Sequence, residues 1–298
     1  MPVINKNNEE LPTEREAPLR VTYDCISCAV GSLVTLFSKG LVPKKTQEAA
    51  MRALLAYLGQ LDYNQSPPRM GQEMHRIIRD VLKIPDPYLD IKRTFNRLML
   101  EYYPGLKKLV AEAADPFLTA LRLAIAGNVI DFGPNRQFDI VETLDRAQSM
   151  VLAVDDSESL RASLPRAKML LYLGDNAGEI VMDRILLETI RHPNVYFAVR
   201  GAPVINDATI EDAQAVGIDK IARVLSNGDD APGTILENTS TEFKAIFNRA
   251  DLVIAKGQGN YEGLGRIDKN IYFLLMAKCD HVADHLGVRK GDLVVTTT

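Results

Sequence analysis

The hydrophobic positions of this chain change their period part-way along its 298 residues. From Asp24 to about Arg146 they recur at helical spacing, punctuated by glycine and proline. Ala29–Phe37 closes at Gly40, and Thr46–Leu58 closes at Gly59. Pro67-Pro68 suits a helix start, because proline needs no amide hydrogen there, and Met74, Ile77, Ile78, Val81 and Leu82 follow at helical spacing. Asp86-Pro87 interrupts the chain, after which Ile91–Tyr102 and Leu106–Ile125 predict two more helices. From Leu164 onward short apolar runs alternate with helical segments. Met169–Leu173, Val195–Val199, Ile221–Leu225, Leu252–Ala255, Ile271–Met276 and Leu293–Val295 read as strands. Val181–Ile190, Asp207–Val216, Glu242–Arg249 and His281–Leu286 read as helices, with Thr239 and Glu242 at capping-box spacing. The expected class is α/β. A helical bundle domain over residues 1–160 precedes a Rossmann-like three-layer α/β/α domain with a mostly parallel sheet over 161–298.

Composition narrows the function classes. Apolar content of 46% and charged content of 25% are ordinary globular values. A net charge of −4 supplies no basic footprint for nucleic acid, and no apolar run approaches the roughly 20 residues that span a bilayer. Met1 to Arg20 is polar, with no apolar core of a secretion signal, so a cytoplasmic protein is expected. Three cysteines, Cys25, Cys28 and Cys279, are too few for a disulfide scaffold. A zinc site would need Cys279 and His281 beside Cys25 and Cys28, and half-apolar buried thiols are the simpler expectation.

The chemistry concentrates where strands end. Met169–Leu173 has the continuous apolar character of a strand buried on both faces, and it empties into Gly174-Asp175-Asn176-Ala177-Gly178-Glu179. Asn176 and Glu179 stand at capping-box spacing, which would tie off a helix without chemistry, but capping leaves Asp175 unexplained. The next strand ends at Val199, and Asn206-Asp207 precedes the following helix, where either residue could serve as an N-cap. Arg200 lies just past that strand and could face a site or pair with a surface acid. After Ala255 comes Lys256-Gly257-Gln258-Gly259-Asn260, a lysine leading a glycine-rich turn of the kind that cradles phosphate. No Walker loop and no G-x-G-x-x-G fingerprint is present.

Ends of strands in one open sheet can converge on one crevice. Asp175, Asn176 and Asp207 are hard oxygen ligands suited to a divalent metal such as Mg, Mn, Co or Ni rather than zinc. With Lys256, Gly257, Gly259 and Asn260 holding a phosphate, a metal that lowers the pKa of water would support hydrolysis of a phosphate monoester, with Asp175, Asp207 and Lys256 as the catalytic set.

Gly174–Glu179, Asn206-Asp207, Lys256–Asn260 and the helix end Gly127-Asn128-Val129-Ile130-Asp131 together resemble the damage-control phosphatase family. The Cys25-x-x-Cys28 pair and the stretch Gly287–Asp292 resemble its compact prokaryotic branch. The resemblance implies a helical domain plus an α/β/α domain and a divalent metal at Asp175, Asn176 and Asp207. It also implies phosphatase activity on a small phosphorylated metabolite, damaged or in excess, and raises Asn128 and Asp131 to wall or substrate contacts; Glu179 is a further candidate for binding substrate. Two other classes stay open: a transferase using S-adenosylmethionine or a nucleotide, and a non-catalytic phosphometabolite-binding protein. The transferase expects a ribose-binding acid after the second strand, where Arg200-Gly201-Ala202 stands instead.

Overall fold

A computed structural model describes residues 18–127 and 151–297. Its centre is a seven-stranded sheet of β1 (Leu152–Asp155), β2 (Leu170–Leu173), β3 (Val195–Val199), β4 (Arg223–Ser226), β5 (Leu252–Lys256), β6 (Ile271–Met276) and β7 (Leu293–Thr297). The spatial order is β1-β7-β6-β5-β2-β3-β4. The run from β6 to β4 is parallel, whereas β7 lies antiparallel to β6 and parallel to β1. The order reverses at β2 and β5, which pair directly, so the crevice of the sheet opens beyond their carboxyl ends.

Each central strand feeds two cores. In β2, Leu170 and Tyr172 enter one apolar cluster while Leu171 and Leu173 enter the opposite one. In β5, Leu252 and Ile254 share the first face, and Val253 and Ala255 the second. Helices α4 (Leu89–Glu112), α5 (Pro116–Ala126) and α7 (Ile180–Ile190) contribute to the first cluster, together with α6 (Ser157–Ser163) and α8 (Ile210–Ala215). Helices α9 (Thr241–Arg249), α10 (Gln258–Leu264) and α11 (Asp280–Leu286) cover the second face. A third, separate core joins α1 (Tyr23–Ser38), α2 (Lys44–Leu58) and α3 (Pro67–Leu82).

The α/β expectation therefore holds, with three differences. The helical part divides: α1–α3 pack on one another, while α4 and α5 form part of a layer on the sheet. The sheet also starts at Leu152, ahead of the expected boundary near residue 160, because the short run Leu-Ala-Val-Asp pairs with the last strand. Finally, Pro104-Gly105 does not break the fourth helix, which runs through it to Glu112. The break falls at Asp115-Pro116, where the Asp115 carboxylate accepts the Leu118 amide and proline occupies the first turn of α5.

Candidate active site

The β2–α7 and β3–α8 connections are stitched together by backbone. The Ala177 amide donates to the Asn206 carbonyl at 2.8 Å, and the Ala208 amide donates to the Asp175 carbonyl at 2.7 Å. The result is an isolated antiparallel bridge between Asn176 and Asp207, which brings two of the expected oxygen donors side by side. Helix α4 fixes the same turn from the other side. The Asn96 side chain accepts the Gly178 amide at 2.7 Å and donates to Asp212 at 2.8 Å, and Lys92 pairs with Asp86 and Asp212.

Arg200 supplies the electrostatic centre. Its guanidinium, almost wholly buried, donates Nε to Asp207 Oδ2 at 2.6 Å, Nη2 to Asp175 Oδ1 at 3.4 Å and Nη1 to Asn260 Oδ1 at 3.2 Å. One cation thus serves two buried carboxylates. Burial raises the Asp207 carboxyl to about 7; Arg200 works to lower it, and the neighbouring Asp175 charge pushes it further up. Asn176 spends both amide hydrogens, on Asp175 Oδ2 and on Glu179 Oε2, each at 2.9 Å, so its carbonyl oxygen is the atom left to offer. That contact joins two side chains; it is not the capping box its spacing suggested. Capping of the next helix falls to Thr209 with Asp212 rather than to Asp207 or Asn206.

The lysine loop departs from expectation. Lys256 continues the face of Leu252 and Ile254, so its stem runs into the layer of α5 and α7. Its fully buried ammonium donates to Glu179 at 2.6 Å, Asp183 at 2.5 Å and the Ala124 carbonyl at 2.7 Å, which uses all three hydrogens. Asp183 also accepts the Tyr172 hydroxyl, and burial raises its carboxyl to about 7 against the pull of Lys256. Gly257 takes φ +81°, and a Cβ there would fall 2.1 Å from Asp175 Oδ2, so glycine lets the β5 turn pass against the β2 acid. At Gly259 a Cβ would fall 2.0 Å from the Pro232 carbonyl. Asn260 is buried, donates to the Lys256 carbonyl and accepts from Arg200 and Thr234. Lys256 and Asn260, and Glu179 with them, are therefore enclosed in the interior, a correction to their expected contact with phosphate or substrate, whereas Gly259 is half-buried. Asn128 and Asp131 lie outside the described residues.

In front of Asn176 and Ala177 opens a cleft of about 500 Å³. Its far wall is α1, through Cys28, Gly31, Ser32 and Thr35; its side is the start of α4, through Tyr88, Ile91 and Phe95. Lys278 closes it after β6, exposed and close enough to pull the Asp207 carboxyl down. Burial, then the charges of Asp207 and Asp86, push the Tyr88 phenol well up, so its hydroxyl keeps its proton. Cys28 is exposed at this wall, which corrects the expectation of a buried thiol, and Cys25 is half-buried. Arg200, Asp183, Tyr88 and Lys278 were not singled out as site residues from sequence. Arg200 and Lys278 carried a signal, since each directly follows a strand of the sheet or lies two residues beyond one.

The donor set can be tested against a divalent cation. Among the described residues no three His, Cys, Asp or Glu side chains gather as a metal site. A resident cation would have to combine the two carboxylates with a carboxamide and water, a mixture that suits Mg²⁺ or Mn²⁺. Two buried carboxylates on one guanidinium leave a negative excess that such a cation would balance, so the residues fit. The model of the damage-control phosphatase ARMT1-like domain matches residues 21–294. The chain belongs to this family. It is 36% identical over 283 residues to a damage-control phosphatase of Pyrococcus horikoshii, covering 93% of this chain and 97% of that one. It is 37% identical over 244 residues to a damage-control phosphatase of Archaeoglobus fulgidus, covering 78% and 84%. A crystal structure of a DUF89 family protein from Pyrococcus horikoshii superposes with a TM-score of 0.86 at 34% identity, covering 94% of this chain and 99% of that one.

Proposed function

We propose that this family member is a divalent-metal-dependent phosphatase that hydrolyses monoesters of small phosphorylated metabolites in the cleft between α1 and the carboxyl ends of β2, β3 and β6. The observation that carries the reading is the pairing of Asp175 and Asp207 on a single buried guanidinium, with the Asn176 carbonyl beside them. Asp175, Asn176 and Asp207 would hold the cation, which supplies Lewis-acid polarisation of the ester and neutralises its charge. Arg200 keeps the two carboxylates at fixed separation. Glu179 orients the Asn176 amide, and Lys256 holds Glu179 in turn. The phosphate dianion needs a second positive group facing the cleft; with Lys256 enclosed, Lys278 and Lys39 both line it, Lys278 being the one whose charge is felt at Asp207, while Tyr88 can donate a hydrogen bond. Phosphate release across sugar phosphates, nucleotides and phosphopantetheines, with Mn, Mg, Co or Ni and with chelator, tests the reading. Metal-dependent turnover of at least one monoester is expected. Turnover of none, or turnover indifferent to chelation, would sink it.

A further inference from the structure

Two glycines lie inside the helices of the α1–α3 unit, and they have different reasons for being there. Gly71 in α3 is pressed against the other half of the molecule: a Cβ there would stand 2.7 Å from Pro232 Cγ. Gly31 in the middle of α1 has no such neighbour. Beyond its own helix, nothing among the described residues lies within 4 Å of where its Cβ would be, and its backbone is not in the left-handed region. Neither packing nor conformation asks for glycine, and glycine costs a helix interior stability relative to alanine. What distinguishes the position is that it faces the cleft, one turn from Cys28 and Thr35 and across from Asn176.

We infer that Gly31 is a specificity-determining residue, whose missing side chain keeps room for the alcohol moiety of the phosphate ester. The inference rests on the phosphatase reading of the cleft, and the size of the accepted moiety is what it adds. A side chain at residue 31 would enter the open space of the cleft that Tyr88, Ile91, Phe95 and Asn176 line from other elements. It would therefore discriminate by bulk, against the larger esters first.

The test uses Gly31→Ala and Gly31→Trp in the full chain. Gly31→Ala is expected to raise Tm by roughly 1–3 °C, because alanine is the better helix former and meets no clash. Gly31→Trp is expected to lower kcat/KM for 1-naphthyl phosphate by at least about tenfold while changing that for glycerol 3-phosphate less than about twofold. A second readout needs no turnover: alkylation of Cys28 by iodoacetamide at alkaline pH, because partial desolvation at the cleft wall pushes this exposed thiol up, with the product read by mass spectrometry. Gly31→Trp should slow it severalfold. A fall in Tm for Gly31→Ala would overturn the inference, as would equal losses on both esters or unchanged Cys28 reactivity in folded Gly31→Trp. If the wild type hydrolyses no monoester, the phosphatase reading is what fails; if it hydrolyses others than these two, its bulkiest and smallest substrates take their place, and in every case the Cys28 rate decides whether Gly31 holds the cleft open.

Discussion

Two clusters of carboxylate and guanidinium tie this molecule together, and they differ in their balance of charge. At the strand ends, Asp175 and Asp207 share Arg200, and one layer deeper Glu179 and Asp183 share Lys256. At the junction of α3 with the loop after β4, Asp230 instead pairs with both Arg76 and Arg79, while Gln72 donates to Asp229 and Asp230. The junction holds three acids, Glu73, Asp229 and Asp230, against two guanidiniums, and its Arg76–Glu73 pair is open to water. The strand-end crevice holds twice as many acids as bases in a buried setting; burial raises its Asp183 and Asp207 carboxyls, and the neighbouring Glu179 and Asp175 charges add to the rise. An ion-pair cluster that only fastens helices has no reason to carry such an excess, since each uncompensated buried charge costs several kcal/mol. Under the proposed reading, a divalent cation would balance that excess.

The largest effect is expected from the acids proposed to hold the cation. Asp207→Asn keeps the shape and removes the charge, so Mn²⁺ binding measured by calorimetry should be lost. Turnover should then fall by about 10³-fold, the loss of several kcal/mol of charge stabilisation. Retained binding at wild-type affinity would remove Asp207 from the ligand set and collapse the contrast between the clusters.

Next in size is Lys256→Met, which strands Glu179 and Asp183 in the interior. Breaking one side of a buried ion pair costs about 3–5 kcal/mol, read as a lower midpoint in denaturant. A Lys256 that instead met the phosphate would leave stability near wild type and cut only kcat/KM. The double change Lys256→Met with Asp183→Leu should regain part of the lost stability, because it removes the orphaned charge as well.

How much of this was legible beforehand follows from the same residues. The strands were visible because each central one is apolar on both faces, and Gly174-Asp175-Asn176 announced itself by following one. The direction of Lys256 was also in reach: period-two counting from Leu252 puts it on the inner face, a step that the attraction of a glycine-rich loop obscured. The place of Arg200 just past a strand was legible, but its central role was not, since the residues that make it central sit at 175, 207 and 260 and meet only after three crossovers. Nor was β1, whose four residues gain strand character only by pairing with a partner at the far end of the chain.

The junction gives the third prediction. Asp230→Ala should cost about 1–3 kcal/mol, because it leaves Arg76, Arg79 and Gln72 short of an acceptor in a half-buried place. Metal affinity and kcat should stay within about twofold of wild type, as expected for substitutions that touch no catalytic group. A tenfold change in kcat at unchanged fold would mean that the junction reports to the site.

The smallest effect belongs to His75, buried in α3 beside Arg79 and Tyr88, with Nε2 lacking a hydrogen-bond partner. Burial, and then the Arg79 charge, lowers its pKa from 6.5 to about 3, so in the folded protein the ring stays neutral through mild acid. The unfolded chain takes up a proton at this residue below about pH 6.5, and the folded chain does not. Stability from this group is therefore fully present above pH 6.5 and is lost progressively as pH falls toward about 3. Each pH unit within that window is worth at most about 1.4 kcal/mol. His75→Phe, which keeps a ring against Tyr88 and has nothing to protonate, should flatten the urea midpoint between pH 6.5 and 4.5 relative to wild type. Its own packing change should appear as a constant offset at pH 8. Parallel acid limbs in the two proteins would show that His75 is protonated in the folded state too, and would assign the acid loss to the carboxylates of the crevice instead.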